Sequence, residues 1–226
     1  MYKEVYQLIF DEDELRKYLE VLPKLERDET FYITLFARKK YTDNPACKYD
    51  KTQLKRFTTT ADRLIEKLHQ LECPVGSYTG HNNLPIPQES LAVYINPNPR
   101  SLSRSLIRGI QALASSIDKE GEHPNPRQAI MNVLQTTKSR TAFHVFDIDS
   151  KDLSIIDKVR EITNDNFFYV ETRGGFHLYL DQNKIDKFSK NWYVTIKNLP
   201  NVDVTGDMLT PLPGSVQGNF IPKIVK

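Results

Sequence analysis

The chain has 226 residues, 39% of them hydrophobic, and a mean hydropathy of −0.51, enough apolar material for one large domain with a packed core. A formal net charge of +2 does not by itself indicate nucleic acid, and no apolar run approaches the roughly 18 residues of a membrane span. Cys47 and Cys73 lie far apart with no Cys or His partner at zinc-ligand spacing, which argues against a structural zinc site and a disulfide framework. The start of the chain is broken up by Lys3, Glu4, Asp11, Glu12 and Asp13 and does not read as a secretory signal. The expectation is a reduced, disulfide-free, cytoplasmic protein with no membrane segment.

Asp11 is placed to cap a helix through Leu15, Tyr18, Leu19 and Leu22, with Glu14 as capping-box partner and Pro23 as its end. Phe31 to Ala37 is β-branched and aromatic, so it reads as a strand, and it runs into Arg38-Lys39-Lys40. That triplet, and Lys51, Lys55 and Arg56 after it, are equally well explained as solvated surface charge. A second amphipathic helix spans Ala61 to Leu71, followed by a Pro-, Gly- and Asn-rich loop from Cys73 to Ser90. Leu91 to Ile95 reads as a buried strand stopped by the two prolines that follow. Ser101 to Ile117 carries Leu102, Leu106, Ile110 and Leu113 at helical spacing. Arg100, Arg104 and Arg108 recur every four residues, which predicts one stripe of cations on a helix face, a candidate contact for nucleic-acid phosphates. Another helix is expected over Arg127 to Gln135.

The next stretch holds the chemistry. The pattern predicts strand Ala142 to Ile148, helix Lys151 to Ile162, strand Phe167 to Thr172, a turn at Arg173-Gly174-Gly175 with φ > 0, and strand Phe176 to Leu180. A helix over Ile185 to Lys197 and a block of short pieces from Asn201 to Phe220 complete the chain. Strands alternate with helices, but hairpins and short crossovers are mixed in, so the class is α+β. No repeat, low-complexity tract or linker divides the chain, which is read as a single domain over 1–226, with its motifs in 91–219.

Asp147 and Asp149 stand one residue apart at the end of an apolar run, so a strand turns both carboxylates to one face. Two such carboxylates repel unless a cation lies between them, and hard ions such as Mg²⁺ or Mn²⁺ take oxygen ligands. Asp149-Ser150 also stands where a cap for the following helix would. Asp203, flanked by Val202 and Val204, offers a third carboxylate from a neighbouring strand, and three carboxylates suit two-metal phosphoryl transfer. Asp207 reads as a turn residue. Gly174 and Gly175 let backbone N–H groups approach phosphate oxygens, with Arg173 and His177 supplying donors beside them. Taken singly, His177 also fits a core histidine and the glycines a plain hairpin turn.

The ordered set of Asp147-x-Asp149, then Gly175-Phe176-His177, then Val202-Asp203 and Pro213-Gly214-Ser215 resembles the archaeo-eukaryotic primase superfamily, which includes primase small subunits and primase-polymerases. The strand before the first motif, Val93 to Arg100, is similar to an early strand in several branches. The resemblance implies a primase-polymerase-type core, a mixed and largely antiparallel sheet flanked by helices. It implies that Asp147, Asp149 and Asp203 are catalytic and hold Mg²⁺ or Mn²⁺. His177 and Arg173, with Gly174, Gly175 and Ser215, would bind the nucleoside triphosphate. Lys138, Arg140 and Arg100 are further candidates for phosphate or single-stranded DNA template. Gly175 stands where the family often has Ser, and Met208-Leu209-Thr210 lacks the basic residues many small subunits carry. A metal-dependent nuclease or nicking initiator, or a non-catalytic nucleotide- or DNA-binding subunit of a replication complex, are the alternatives. A nicking enzyme of the His-hydrophobic-His type is disfavoured because His144 and His177 stand alone. With no phosphate-binding Gly-Lys-Ser/Thr loop, strand opening is expected from a helicase or other replication protein in trans.

Overall fold

The computed structural model describes residues 4–117, 125–204 and 206–226, and these build an α+β fold of two antiparallel sheets flanked by helices. In chain order the elements are α1 (Glu12–Val21), β1 (Glu29–Arg38), β2 (Lys51–Thr59), α2 (Ala61–His69), β3 (Leu91–Ser101), α3 (Leu102–Ile117) and α4 (Pro126–Thr136). They continue with β4 (Phe143–Ile148), α5 (Leu153–Thr163), β5 (Phe167–Glu171), β6 (Phe176–Asp181), α6 (Trp192–Lys197), β7 (Val202–Asp203), β8 (Thr210–Pro211) and β9 (Lys223–Val225). The first sheet has the order β2-β1-β3-β8 and the second β7-β4-β6-β5-β9. Every strand pair in them is antiparallel, so two separate sheets replace the one mixed sheet expected. Among the described residues no helix is long and apolar enough to cross a membrane.

Alternation along β4 and β6 explains how the second sheet is covered. Phe146, Ile148, Phe176, Leu178 and Leu180 face α5 and α6 and pack with Ile155, Val159 and Ile196. Phe143, Val145 and Tyr179 face the other way, into the main core with Ile33, Leu35, Val93 and Ile95 of the first sheet and Leu15 and Tyr18 of α1. Asp147 and His177 continue that second row, so they stand where the shared core opens to solvent.

Several local expectations are corrected. Asp11 does cap α1, accepting a hydrogen bond from Glu14 N at 2.9 Å, but the Glu14 carboxylate is not a capping-box partner. It accepts from Ile224 N instead and ties β9 to the helix. Strand β2 was hidden by its polar, basic sequence, because it is an edge strand whose outer side meets water. Strand β3 does not stop at Ile95. Thr30 pairs with Arg100 and Tyr32 with Asn96, so Pro97-Asn98-Pro99 bulge opposite the single residue Phe31, where missing N–H groups cost no ladder bond.

The continuation of β3 also dissolves the arginine stripe: Arg100 is in a strand, while Arg104 and Arg108 are on α3. Helix α3 turns small residues, Ser105 and Gly109, inward against α4, and leaves Leu106, Ile107 and Ile110 half exposed or more. The helix expected over Ile185 to Lys197 is split into a 3₁₀ segment, Gln182–Lys187, and α6, with Asn191 left-handed between them (φ 63°). Helix α5 is capped by Asp152, which accepts from Ser154 N at 2.9 Å, so Asp149 is not its cap.

Candidate functional site

In the second sheet Asp147 pairs with Asp203 of β7 on one side and with His177 of β6 on the other. Directly opposite residues of antiparallel strands share a face with their Cβ atoms ~5 Å apart. Asp203, Asp147 and His177 therefore form one row across three strands, and Asp149, two residues past Asp147, extends the same face at the strand end. Its backbone is anchored there by Asp149 N donating to Asn201 O at 2.9 Å.

The row borders a cleft of about 600 Å³ between the sheets. Asp147, Asp149, His177 and Gly174 line one wall, and Arg38, Lys40 and Lys51 line the other. Asp203 stands just beside it, exposed on the edge strand β7. Arg38 is buried, donates from Nη1 to the Tyr94 hydroxyl at 2.7 Å, and has no hydrogen bond at Nε. Arg173 is exposed at the rim with its guanidinium 4.7 Å from the centre of the Tyr41 ring, and its backbone N donates to Gln217 Oε1 at 2.9 Å.

Burial, then the charges of Asp149 and Asp203, push the Asp147 carboxyl up to about 6, with Lys40 pulling the other way. Burial, aided by Lys40, pushes the His177 imidazole down to about 4. His177 is therefore neutral at pH 7, and its Nε2, 3.4 Å from Asp147 Oδ1, makes no ion pair. Its Nδ1 has no partner among the described residues. The two shifts act oppositely on stability. Asp147 holds its proton more tightly in the fold and favours it at low pH, a contribution lost as pH rises through about 6. His177 favours the fold at high pH, a contribution lost as pH falls from the ordinary 6.5 towards 4.

Carboxylates held together in a partly buried site fit a divalent cation, which would offset the repulsion that adds to burial in raising Asp147. Among the described residues no three His, Cys, Asp or Glu side chains converge tightly enough to cage an ion by themselves. Mg²⁺ sites in phosphoryl-transfer proteins need no such cage, since one or two carboxylates bind and water and substrate phosphates supply the remaining oxygens. The donor set therefore fits a cation that arrives with a phosphorylated ligand. Because a proton competes for Asp147, Mn²⁺ affinity in the presence of a nucleotide is expected to fall about tenfold per unit as pH drops below about 6. Calorimetric titrations at pH 5, 6 and 7 check this, and a flat profile would remove Asp147 from the ligand set.

The remaining sequence candidates divide. Gly174 lines the cleft with open space where a Cβ would be. Gly175 is packed beneath, where a Cβ would collide with the Ile148 carbonyl, and neither glycine adopts the positive φ expected. The hairpin instead closes over four residues, with Thr172 N donating to Gly175 O at 2.9 Å. Ser215 is fully buried and donates to Leu212 O at 2.7 Å, so it is a turn residue and offers no phosphate contact. Gly214 of that turn (φ 75°) lies against the Asp11 carbonyl at the start of α1.

Arg100 is fully buried and ion-paired with Asp207, so it is withdrawn from any template surface. Arg140 is held by Glu29 at 3.0 Å and by Lys24 O at 2.7 Å. Lys138 is half-buried beside a smaller cavity, Arg108 is exposed, and Arg104 donates to Ser139 O at 2.7 Å. Sequence reasoning left Arg38, Lys40 and Lys51 as surface charge. The available signal was that the basic triplet ends an apolar strand, which places it at a sheet edge. Comparison with family models, curated proteins and solved structures returns no match.

Proposed function

We propose that the chain is a template-directed nucleotidyltransferase of the primase-polymerase type, a DNA primase or DNA polymerase that joins nucleoside triphosphates on single-stranded DNA with Mg²⁺ or Mn²⁺. The observation that carries this reading is the row Asp203–Asp147–His177, with Asp149, across a cleft from Arg38, Lys40 and Lys51. Carboxylates suited to a cation opposite three cations suit a ligand that brings many phosphate oxygens and its own counter-ion. Three of the ordered motifs that resemble the archaeo-eukaryotic primases fall on or beside these same strands, while Pro213-Gly214-Ser215 lies in a turn against α1.

Asp147, Asp149 and Asp203 would hold the cation, which when bound activates an attacking hydroxyl and neutralises charge on the phosphates. Arg38 enters this scheme already desolvated and oriented by Tyr94, with exposed Asp50 at 3.7 Å as the counter-ion that phosphate would displace. Lys40, Lys51 and Arg173 add charge at the same end. Neutral His177 carries one N–H, which turns from the Asp147 carboxylate to a phosphate oxygen once that carboxylate is engaged. Exposed Arg108 and Arg104 and half-buried Lys138 remain for the template, with a helicase or other replication protein opening the strands in trans.

Thermal melting tests the binding step. A ligand at a hundredfold excess over Kd stabilises the fold by about 2.7 kcal/mol, which for a chain of this size is roughly 5–10 °C in Tm. That rise is expected with a nucleoside triphosphate plus Mn²⁺ and not with either alone. Extension assays on single-stranded DNA, with and without a primer, then test transfer. No shift at millimolar nucleotide with Mn²⁺ would sink the reading.

A further inference from the structure

Strand β3 sends Tyr94, Asn96, Asn98 and Arg100 to one side, opposite the core row of Val93 and Ile95. Three of the four are engaged. Tyr94 accepts from Arg38. Asn98 accepts from Ala142 N and Phe143 N at 2.7 and 2.8 Å and donates to Phe143 O at 3.0 Å, pinning the start of β4. Arg100 pairs with Asp207.

Arg100 keeps Nε and Nη2 without a partner among the described residues, and Asn96 keeps its carbonyl so. Asn96 is 1% exposed and lines the cleft. A buried acceptor left without a partner is costly, which marks a group open to a ligand.

The position of Asn96 narrows what that ligand group is. Asn96 pairs with Tyr32, and the Arg38 backbone lies six residues further along β1, about 20 Å at ~3.3 Å per residue, with its guanidinium reaching back to the Tyr94 hydroxyl. Arg38, Lys40, Lys51 and Gly174 therefore mark one end of the cleft, and Asn96, Gln135 and Asp207 the other. Phosphates at the cationic end leave the nucleoside to run towards Asn96. A template-directed enzyme accepts four bases, so a fixed side chain there cannot read a base edge without blocking the others. The sugar is common to all four, and its hydroxyls both donate and accept, as a carboxamide does.

We propose that Asn96 is the specificity residue of the cleft and hydrogen-bonds a sugar hydroxyl of the incoming nucleotide. The proposal rests on the nucleotide-binding reading above.

The test measures Kd of the full chain with Mn²⁺ for ATP, dATP, the 2′,3′-dideoxy analogue and inorganic tripolyphosphate. The parent chain, Asn96→Ala and the near-isosteric Asn96→Leu are compared, with melting curves to establish folding. Since the carbonyl has no partner to lose among the described residues, both variants are expected to fold and melt near the parent. The parent is expected to lose at least tenfold in affinity at one step of the series. A step between ATP and dATP assigns the 2′ hydroxyl, and one between dATP and the dideoxy analogue the 3′ hydroxyl. In both variants the three nucleotides should bind within about twofold of one another, with tripolyphosphate affinity unchanged. Equal affinities in the parent, or a step that persists in folded variants, would overturn the role of Asn96 while tripolyphosphate binding keeps the nucleotide reading alive. If neither tripolyphosphate nor any nucleotide binds, the nucleotide reading itself fails.

Discussion

Asp203→Asn is expected to abolish nucleotide transfer in a protein that still folds, while Asp207→Asn, four residues on, is expected to destabilise the fold. Asp203 is exposed on an edge strand directly opposite Asp147, so removing its charge costs no buried partner. It also removes one of the two carboxylates that raise Asp147, whose pKa should move down from about 6. Losing one cation ligand removes several kcal/mol of transition-state stabilisation, on the order of 10³-fold in rate. Asp207 is the counter-ion of a fully buried arginine, and Asn98 Nδ2 also reaches it, at 3.4 Å. Breaking a buried pair by removing one partner costs about 3–5 kcal/mol, a large part of the 5–15 kcal/mol that holds a typical domain together.

Urea unfolding and primer extension, measured on both variants at low temperature, separate the two effects. Folded Asp207→Asn protein should retain substantial activity, because Asp207 is not in the carboxylate row. Active Asp203→Asn with well-folded but inactive Asp207→Asn would move the third ligand four residues along.

Gly175→Ser is expected to be severe. A Cβ at Gly175 would lie inside the Ile148 carbonyl oxygen and 2.8 Å from Ser150 N, both of them backbone atoms that cannot swing aside. The β4 end must shift, and Asp149 shifts with it. Overpacking of this kind costs about 1–3 kcal/mol and occasionally more, and the upper end is expected here. The Tm rise with nucleotide and Mn²⁺ should disappear with it. Gly174→Ser is the control, since its Cβ would meet open space. A Gly175→Ser variant that melts and binds like the parent would show that the β6 hairpin has room the described packing denies.

What the sequence determined by itself is local and periodic. The short apolar, aromatic runs leading to Asp147 and over Phe176 to Leu180 specified the strands, because a strand covered on both faces is apolar almost throughout. Asp11 and Pro23 bounded α1 through capping and the missing N–H, and the spacing of Asp147 and Asp149 fixed that they share a face. The α+β class followed from hairpins mixed with helices.

What only the tertiary structure decided are facts about partners distant along the chain. Arg100 and Asp207 are 107 positions apart, and nothing in either neighbourhood says that one neutralises the other inside the protein. The prolines after Ile95 were read as a stop because proline donates no ladder bond, and only the bulge opposite Phe31 removed that need. Leu106, Ile107 and Ile110 show that helical spacing of apolar residues fixes a face but not its direction, since Ser105 and Gly109 permit the closer approach to α4. Arg38, Lys40 and Lys51 became a wall of the site through cross-strand pairing of β1 with β2, a pairing invisible in a polar edge strand. Asn96 could be singled out only once its three neighbours in the row were seen to be engaged.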